Sequence, residues 1–254
     1  MNFLELETAL TEKLNSLKGH VALYVKFLNS RETFSYNSEK QFWAASVIKV
    51  PLACTFYKKA SENLIDPQER ASVSKDNYVL GSGIVKLLNK ETKFTYEDLI
   101  TFMLTVSDNT ATNEIFDAAP QEDVEKYMQS LGLNSTTCRH KMMIPAGKGP
   151  NLTTVADMGL LLEKLYKKEL PYSQKILQIM TEQLDRTRIP LYIPNNISIA
   201  HENGSLEKAM HAVGVVYAKS PFVFSFLSDD QEDRSKTNKV LSECAKICFD
   251  YAPA

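Results

Sequence analysis

Strand-like segments occur only toward the two ends of this chain, and residues from about 60 to about 184 read almost entirely as helices. His20 to Leu28 is rich in β-branched and aromatic residues, and Glu32 to Tyr36 continues after the short polar turn Asn29-Ser30-Arg31. Strand character returns at Ile197 to Ala200, Ala212 to Ala218 and Phe222 to Leu227. Strands cannot leave their backbone groups unpaired, so the pattern predicts one antiparallel sheet completed from both ends of the chain. Apolar residues at Phe3, Leu4, Leu6, Leu10, Leu14 and Leu17 predict an amphipathic first helix, and Ser235 to Tyr251 a closing one.

The expected fold class is therefore α+β, an antiparallel sheet flanked by the N- and C-terminal helices, with an all-helical domain inserted. Residues 1–59 and 185–254 would form the sandwich and 60–184 the insert. Within the insert, helical spacing runs over Thr95 to Thr105, Ala111 to Phe116, Gln121 to Leu131, Thr154 to Lys168 and Ser173 to Leu184. Thr95 stands three before Asp98 and Thr154 three before Asp157, which are start signals. The longest irregular stretch is Cys138 to Leu152, with Pro145, Gly147, Gly149 and Pro150.

Between the N-terminal strands and the helical block lies the apolar run Trp43 to Cys54, interrupted by one hydroxyl, Ser46, and one amine, Lys49. As a buried helix, it would project Ser46 and Lys49 from one face a turn apart. A lysine there loses hydration and its pKa falls toward that of a general base, which makes a neighbouring hydroxyl a nucleophile. Alternatively, Ser46 caps the helix and Lys49 snorkels to the surface. Ser-x-x-Lys occurs three times here, also at Ser72/Lys75 and Ser205/Lys208, so the spacing alone decides nothing.

A net charge of -2 with no basic cluster argues against nucleic-acid or anionic-membrane partners and leaves small molecules or short peptides. Four cysteines without histidines at ligand spacing read as small apolar fillers, so neither metal nor other cofactor is expected. No stretch is long enough to span a bilayer. The acidic, leaderless start leads us to expect a cytoplasmic monomer, or a secreted one if a leader has been removed.

Val106-Ser107-Asp108-Asn109 sits between two helical patterns and by itself could be only a capped turn. Together, however, Ser46-x-x-Lys49 and Ser107-Asp108-Asn109 resemble the serine β-lactamases of class A and the related penicillin-binding proteins, marked by Ser-x-x-Lys, Ser-Asp-Asn and Lys-Thr-Gly in that order. Gly81-Ser82-Gly83, Leu152-Thr153-Thr154-Val155-Ala156-Asp157-Met158 and His211-Ala212-Val213-Gly214 extend the likeness. The resemblance implies an α/β sandwich with a helical domain and a serine hydrolase acting on amides, lactams or esters. It makes Ser46 the acylated nucleophile, Lys49 its proton acceptor and Ser107 the relay to the leaving nitrogen, with Asn109 holding a substrate amide and the lysine. The backbone N–H groups of Ser46 and Ser205 would meet the developing oxyanion.

The third mark departs from the pattern. Where the family reads His-Lys-Thr-Gly, this chain reads His201-Glu202-Asn203-Gly204, so a carboxylate replaces the ammonium that attracts the substrate's carboxylate. Glu202, Asn203, Gly204 and Ser205 are thus expected at the substrate side, with Glu202 repelling an acidic substrate or pairing with Lys49. The family's deacylating glutamate is missing as well, since Arg139 to Leu152 contains no Asp or Glu. His211 is followed by Ala212 rather than the family's Asp, and is expected to pack or hydrogen-bond. The departures predict weak or slow β-lactam hydrolysis; the alternative is a protein on the same fold that binds or acylates without turnover.

Overall fold

The structure, a computed structural model, describes residues 1–144, 147 and 149–252; Pro145, expected in the irregular loop, lies outside the described residues. In chain order, α1 (Phe3–Asn15), β1 (His20–Phe27), β2 (Thr33–Tyr36) and β3 (Phe42–Trp43) lead into a 3-10 turn, Ala45–Ile48, and α2 (Lys49–Ser61). There follow β4 (Arg70–Ser72), β5 (Lys93–Thr95), α3 (Tyr96–Thr105), α4 (Asn109–Ala118), α5 (Gln121–Ser130), β6 (Leu152–Thr153), α6 (Val155–Tyr166) and α7 (Ser173–Thr181). The chain then builds β7 (Ile199–Leu206), β8 (Ala209–Val216), β9 (Phe222–Asp229) and α8 (Arg234–Tyr251).

The main sheet is antiparallel in the order β2-β1-β9-β8-β7, so strands from both ends of the chain share one ladder, as the pattern predicts. Alternation sorts its side chains into two cores. Val21, Leu23, Val25, Phe222, Phe224 and Phe226 face α1 and α8, where Leu6, Leu10 and Leu14 recur at helical spacing and are buried. Ala22, Val213, Val215, Val223 and Leu227 face the helical block. Each of the three buried leucines of α1 gains about 2 kcal/mol from leaving water, which holds that helix on the sheet. All four cysteines are buried and free, as fillers should be.

Thr95 forms a full capping box with Asp98, each side chain bonding the other's backbone N–H. Thr154 accepts from the Asp157 N–H, but the Asp157 carboxylate turns away to accept from Ser135 N and Thr136 Oγ1, tying the chain before the irregular loop to α6. The block is not free of strand: β4 pairs β5, and β3 pairs β6. These ladders are two or three residues long, too short to leave a periodic signal.

The run around Ser46 is not one continuous helix. Ala45–Ile48 is a 3-10 turn and α2 starts at Lys49, with Pro51 in its first turn, where a missing N–H costs no hydrogen bond. Among the described residues, no helix is long and apolar enough to cross a membrane.

Candidate active site

The 3-10 turn that carries Ser46 is fixed from three sides. Ala44 N donates to Asn151 O at 2.7 Å, and Trp43 O accepts from His211 Nε2 at 2.9 Å. The other ring nitrogen, Nδ1, accepts from Ser228 N, which defines a neutral tautomer. Burial pushes His211 down to about 4, so it stays neutral at physiological pH. It is a hydrogen-bonding brace behind the turn, in line with the expectation. From the sheet side, Gly204 comes so close that a Cβ there would lie 3.0 Å from the His211 ring and 3.3 Å from Ala45 Cβ. Ala45 itself has a left-handed φ of 46°, a strained conformation for a residue with a side chain.

Lys49 is fully buried, and its Nζ is the hub of the site. It lies 3.0 Å from Ser46 Oγ, 2.7 Å from Ser107 O, 2.8 Å from Ser107 Oγ and 3.0 Å from Asn109 Oδ1. Four oxygens surround a group with at most three protons, so one hydroxyl has no hydrogen to accept and can donate to the nitrogen once it is neutral. Burial pulls Lys49 down to about 8, against the opposing fields of Glu202 and Asp108.

Ser107 sits at a left-handed φ of 52°, and this conformation aims both its carbonyl and its hydroxyl at Lys49. The next residue, Asp108, caps α4 through the Ala111 N–H and binds the backbone N–H groups of Ile84 and Val85 with its other oxygen. Asn109 N donates to Ser82 O and Asn109 Nδ2 to Leu80 O, so the Gly81-Ser82-Gly83 loop is laid along the tripeptide. The string is a capped turn and also part of the site; the two readings do not compete.

Glu202 differs from expectation. It does not line the cleft where a substrate carboxylate would sit, but is fully buried behind Ser107. Its Oε1 accepts from Ser107 Oγ at 2.9 Å and its Oε2 from Gln183 Nε2 at 3.1 Å. Among the described residues, no carboxylate forms a direct ion pair with Lys49. On β7, Glu202 shares the helix-facing side with Ala200, and the period of two therefore sends it inward. Burial lifts Glu202 above the usual carboxylate range, opposed by Lys49 and by the Ser107 and Gln183 hydrogen bonds.

The cleft itself has a volume of about 410 Å³ and is lined in part by Ser46, Ser82, Ser107, Asn203, Ser205 and Arg188. Arg188 escaped the sequence reading, because a lone arginine in the turn-rich segment before β7 belongs to no motif. Its Nη1 donates to Gly204 O and His211 O and its Nη2 to Ser205 Oγ, while Nε is buried with no protein partner. Burial pulls the guanidinium down to about 10, and it stays charged at neutral pH. Asn203 Nδ2 donates to Asp185 O, and its Oδ1 is left unpaired and buried. Thus the structure brings Ser46, Lys49, Ser107 and Asn109 together, sets Asn203 and Ser205 on the wall, uses Gly204 as a close-approach point and withdraws Glu202.

The irregular loop is held by amides. Asn151 Oδ1 accepts from Arg139 N and His140 N, and Asn113 brackets the Met142 backbone with 2.7 and 3.1 Å hydrogen bonds. Among the described residues there is no cluster of His, Cys, Asp and Glu able to hold a metal ion.

Comparison with known proteins agrees with this geometry. Residues 5–252 match the family described as the Beta-lactamase enzyme family. Beta-lactamase VEB-1 of Pseudomonas aeruginosa is 21% identical over 264 residues, covering 94% of this chain and 87% of that protein. The crystal structure of a β-lactamase from Sphaerobacter thermophilus superposes with a TM-score of 0.90 at 22% identity, over 99% of this chain and 98% of that one. A variant of PBP-A, solved as an acyl-enzyme complex with penicillin G, superposes with a TM-score of 0.88 at 23% identity, over 98% and 96% of the two chains. The chain belongs to the β-lactamase enzyme family and is a serine hydrolase related to the class A β-lactamases.

Proposed function

We propose that this protein forms an acyl-enzyme at Ser46 on an amide, lactam or ester, and that it releases β-lactam products slowly. The observation that carries the reading is the Lys49 amine, dry and within 3.0 Å of both Ser46 Oγ and Ser107 Oγ. Lys49 takes the Ser46 proton as Oγ attacks the carbonyl, and Ser107 delivers a proton to the departing nitrogen. Asn109 holds the amine in place and offers its amide to the substrate. The backbone N–H groups of Ser46 and Ser205 receive the oxyanion, each such donor being worth about a hundredfold or more in rate.

Arg188 supports a substrate that bears a carboxylate, since it is the cation among the described residues of the cleft lining, where it stands with Asp185, while Glu202 is withdrawn. The substrate is a small molecule or short peptide handled by a monomer. Slow release follows from the loop 139–152, which has no acid to activate a deacylating water. For the same reason, a second reading is a protein that acylates and then retains its ligand. Intact-mass measurement after incubation with a fluorescent penicillin and with a fluorophosphonate separates these cases. A Ser46 adduct absent from Ser46→Ala and decaying over minutes to hours supports the hydrolase, a permanent penicillin adduct supports retention, and no adduct from either probe refutes both.

A further inference from the structure

A lysine can act as a base toward Ser46 only after it has given up its own surplus proton, and the site must have somewhere to put it. Lys49 is fully buried, so the nearest acceptors are protein groups rather than water. Three candidates surround it. Asp108 is committed to three backbone N–H groups, those of Ile84, Val85 and Ala111, and among the described residues its carboxylate has no hydrogen bond to Lys49 or Ser107. Asn109 cannot bind a proton near neutral pH. The third is Glu202, and it is connected: Lys49 Nζ is 2.8 Å from Ser107 Oγ, and the Ser107 hydroxyl donates to Glu202 Oε1 at 2.9 Å. Two ordinary hydrogen bonds thus make an unbroken path from amine to carboxylate.

Resting on the acyl-transfer reading of Ser46, we propose that Glu202 stores the surplus proton of Lys49, received through the Ser107 hydroxyl. Lys49 passes a proton to Ser107 Oγ as Ser107 passes its own to Glu202 Oε1. An ammonium and a carboxylate become an amine and a carboxylic acid, with Ser107 unchanged. Ser46 Oγ then attacks, and its proton goes to Lys49 Nζ. Ser107 gives its proton to the leaving nitrogen and is refilled from Glu202. The cycle ends with an acyl-enzyme, a protonated leaving group and the starting ammonium and carboxylate, so no proton is exchanged with solvent.

The surroundings of Glu202 suit this role. Gln183 Nε2 donates to Oε2 and also to Leu104 O, which fixes the carboxyl so that Oε1 points at Ser107. The charges acting on it are Lys49 from α2 and Arg188 from the segment before β7, and its partner on β8 is the uncharged Val213. Its strand neighbour His201 is held neutral by burial, at about 4. Burial moves the Lys49 amine down and the Glu202 carboxyl up, so a site shut off from water favours the neutral amine and carboxylic acid over the charged pair. Glu202 touches no substrate atom and acts through Ser107 alone.

The test is the pH profile of Ser46 labelling by a fluorophosphonate in the parent protein, Glu202→Gln and Glu202→Asp, with folding checked by thermal melts. A fluorophosphonate carries no carboxylate, so the readout reports Ser46 activation rather than substrate charge recognition. In the parent, the amine fraction is set by an internal transfer, and the rate changes less than about threefold from pH 6 to 8. Glutamine keeps a carbonyl for Ser107 but takes no proton, so Lys49 must deprotonate to solvent. The Glu202→Gln rate then follows a single-proton limb, falling about tenfold per pH unit on its acid side. Aspartate is one methylene too short to reach Ser107 and gives the same limb. If the Glu202→Gln profile is as flat as the parent's, or is faster throughout with the same shape, Glu202 only sets a field and the proposal fails. If Glu202→Asp retains the flat profile, the path through Ser107 is wrong. A parent protein that is never labelled at Ser46 instead refutes the acyl-transfer reading, and the proton store falls with it.

Discussion

Asp108 and Gly83 are packed so closely that a Cβ on the glycine would fall 2.2 Å from the aspartate's carboxyl carbon. The glycine also has a φ of +108°, a region that residues with side chains rarely occupy. The contact locks the Gly81-Ser82-Gly83 loop to the Ser107 turn, because Asp108 Oδ2 binds the N–H groups that follow Gly83.

Gly83→Ala should therefore cost about 2 to 3 kcal/mol of stability, from the strained φ and the displaced carboxylate. Urea denaturation would measure it. Because Asp108 sets the turn that aims Ser107 at Lys49, Ser46 labelling should slow at least several-fold in the variant while it is still folded. A variant as stable as the parent would mean that the loop moves away freely.

Arg188→Gln separates substrate charge from serine reactivity. A guanidinium that meets a substrate carboxylate in a partly desolvated cleft is worth about 2 kcal/mol or more. Acylation by a penicillin should then fall about thirtyfold. Labelling by a fluorophosphonate, which has no carboxylate, should change less than about threefold. Parallel losses with both probes would show that Arg188 matters for holding the Gly204 and His211 carbonyls rather than for reading the substrate.

His211 links acid stability to the wall behind Ser46. Its folded value of about 4 lies below the ordinary 6.5, so the unfolded chain binds its proton first as pH falls. Its stabilising contribution is complete above pH 6.5 and is lost progressively as pH falls toward about 4, where the difference corresponds to about 3 kcal/mol. Glu202, raised by burial, acts with the opposite sign above its ordinary value. Comparing melting temperatures of the parent and His211→Gln across pH 4 to 7 cancels that contribution. The variant should be less stable at pH 7 and should show a shallower fall toward acid; equal slopes would mean His211 is not held neutral.

The sheet and most helices were legible because burial on a strand has a period of two and on a helix one of 3.6, and both periods survive in a single sequence. The nucleophile region was legible for a subtler reason: Ser46 and Lys49 meet across an i,i+3 step whether the turn is α or 3-10. Glu202 was misplaced because its neighbours in sequence are polar, and only the pairing of β7 with β8 decides which face looks inward. Arg188 and Gln183 were invisible because they act across the fold, on atoms of β7 and of α3, with no local pattern to mark them. Long-range polar contacts carry no periodicity.

The order of strands also sets a timetable. β1 is flanked by β2, which follows it directly, and by β9, which begins at residue 222. As the chain leaves the ribosome, the second edge of β1, which ends at Phe27, has no ladder partner until the chain has been made as far as Phe222. Ser46, Lys49 and Ser107 are all synthesised long before Glu202, Gly204 and His211 arrive to brace them. A nascent chain therefore carries its reactive groups unassembled next to an open, apolar strand edge, and its need for protection during synthesis is greatest just before the active site closes.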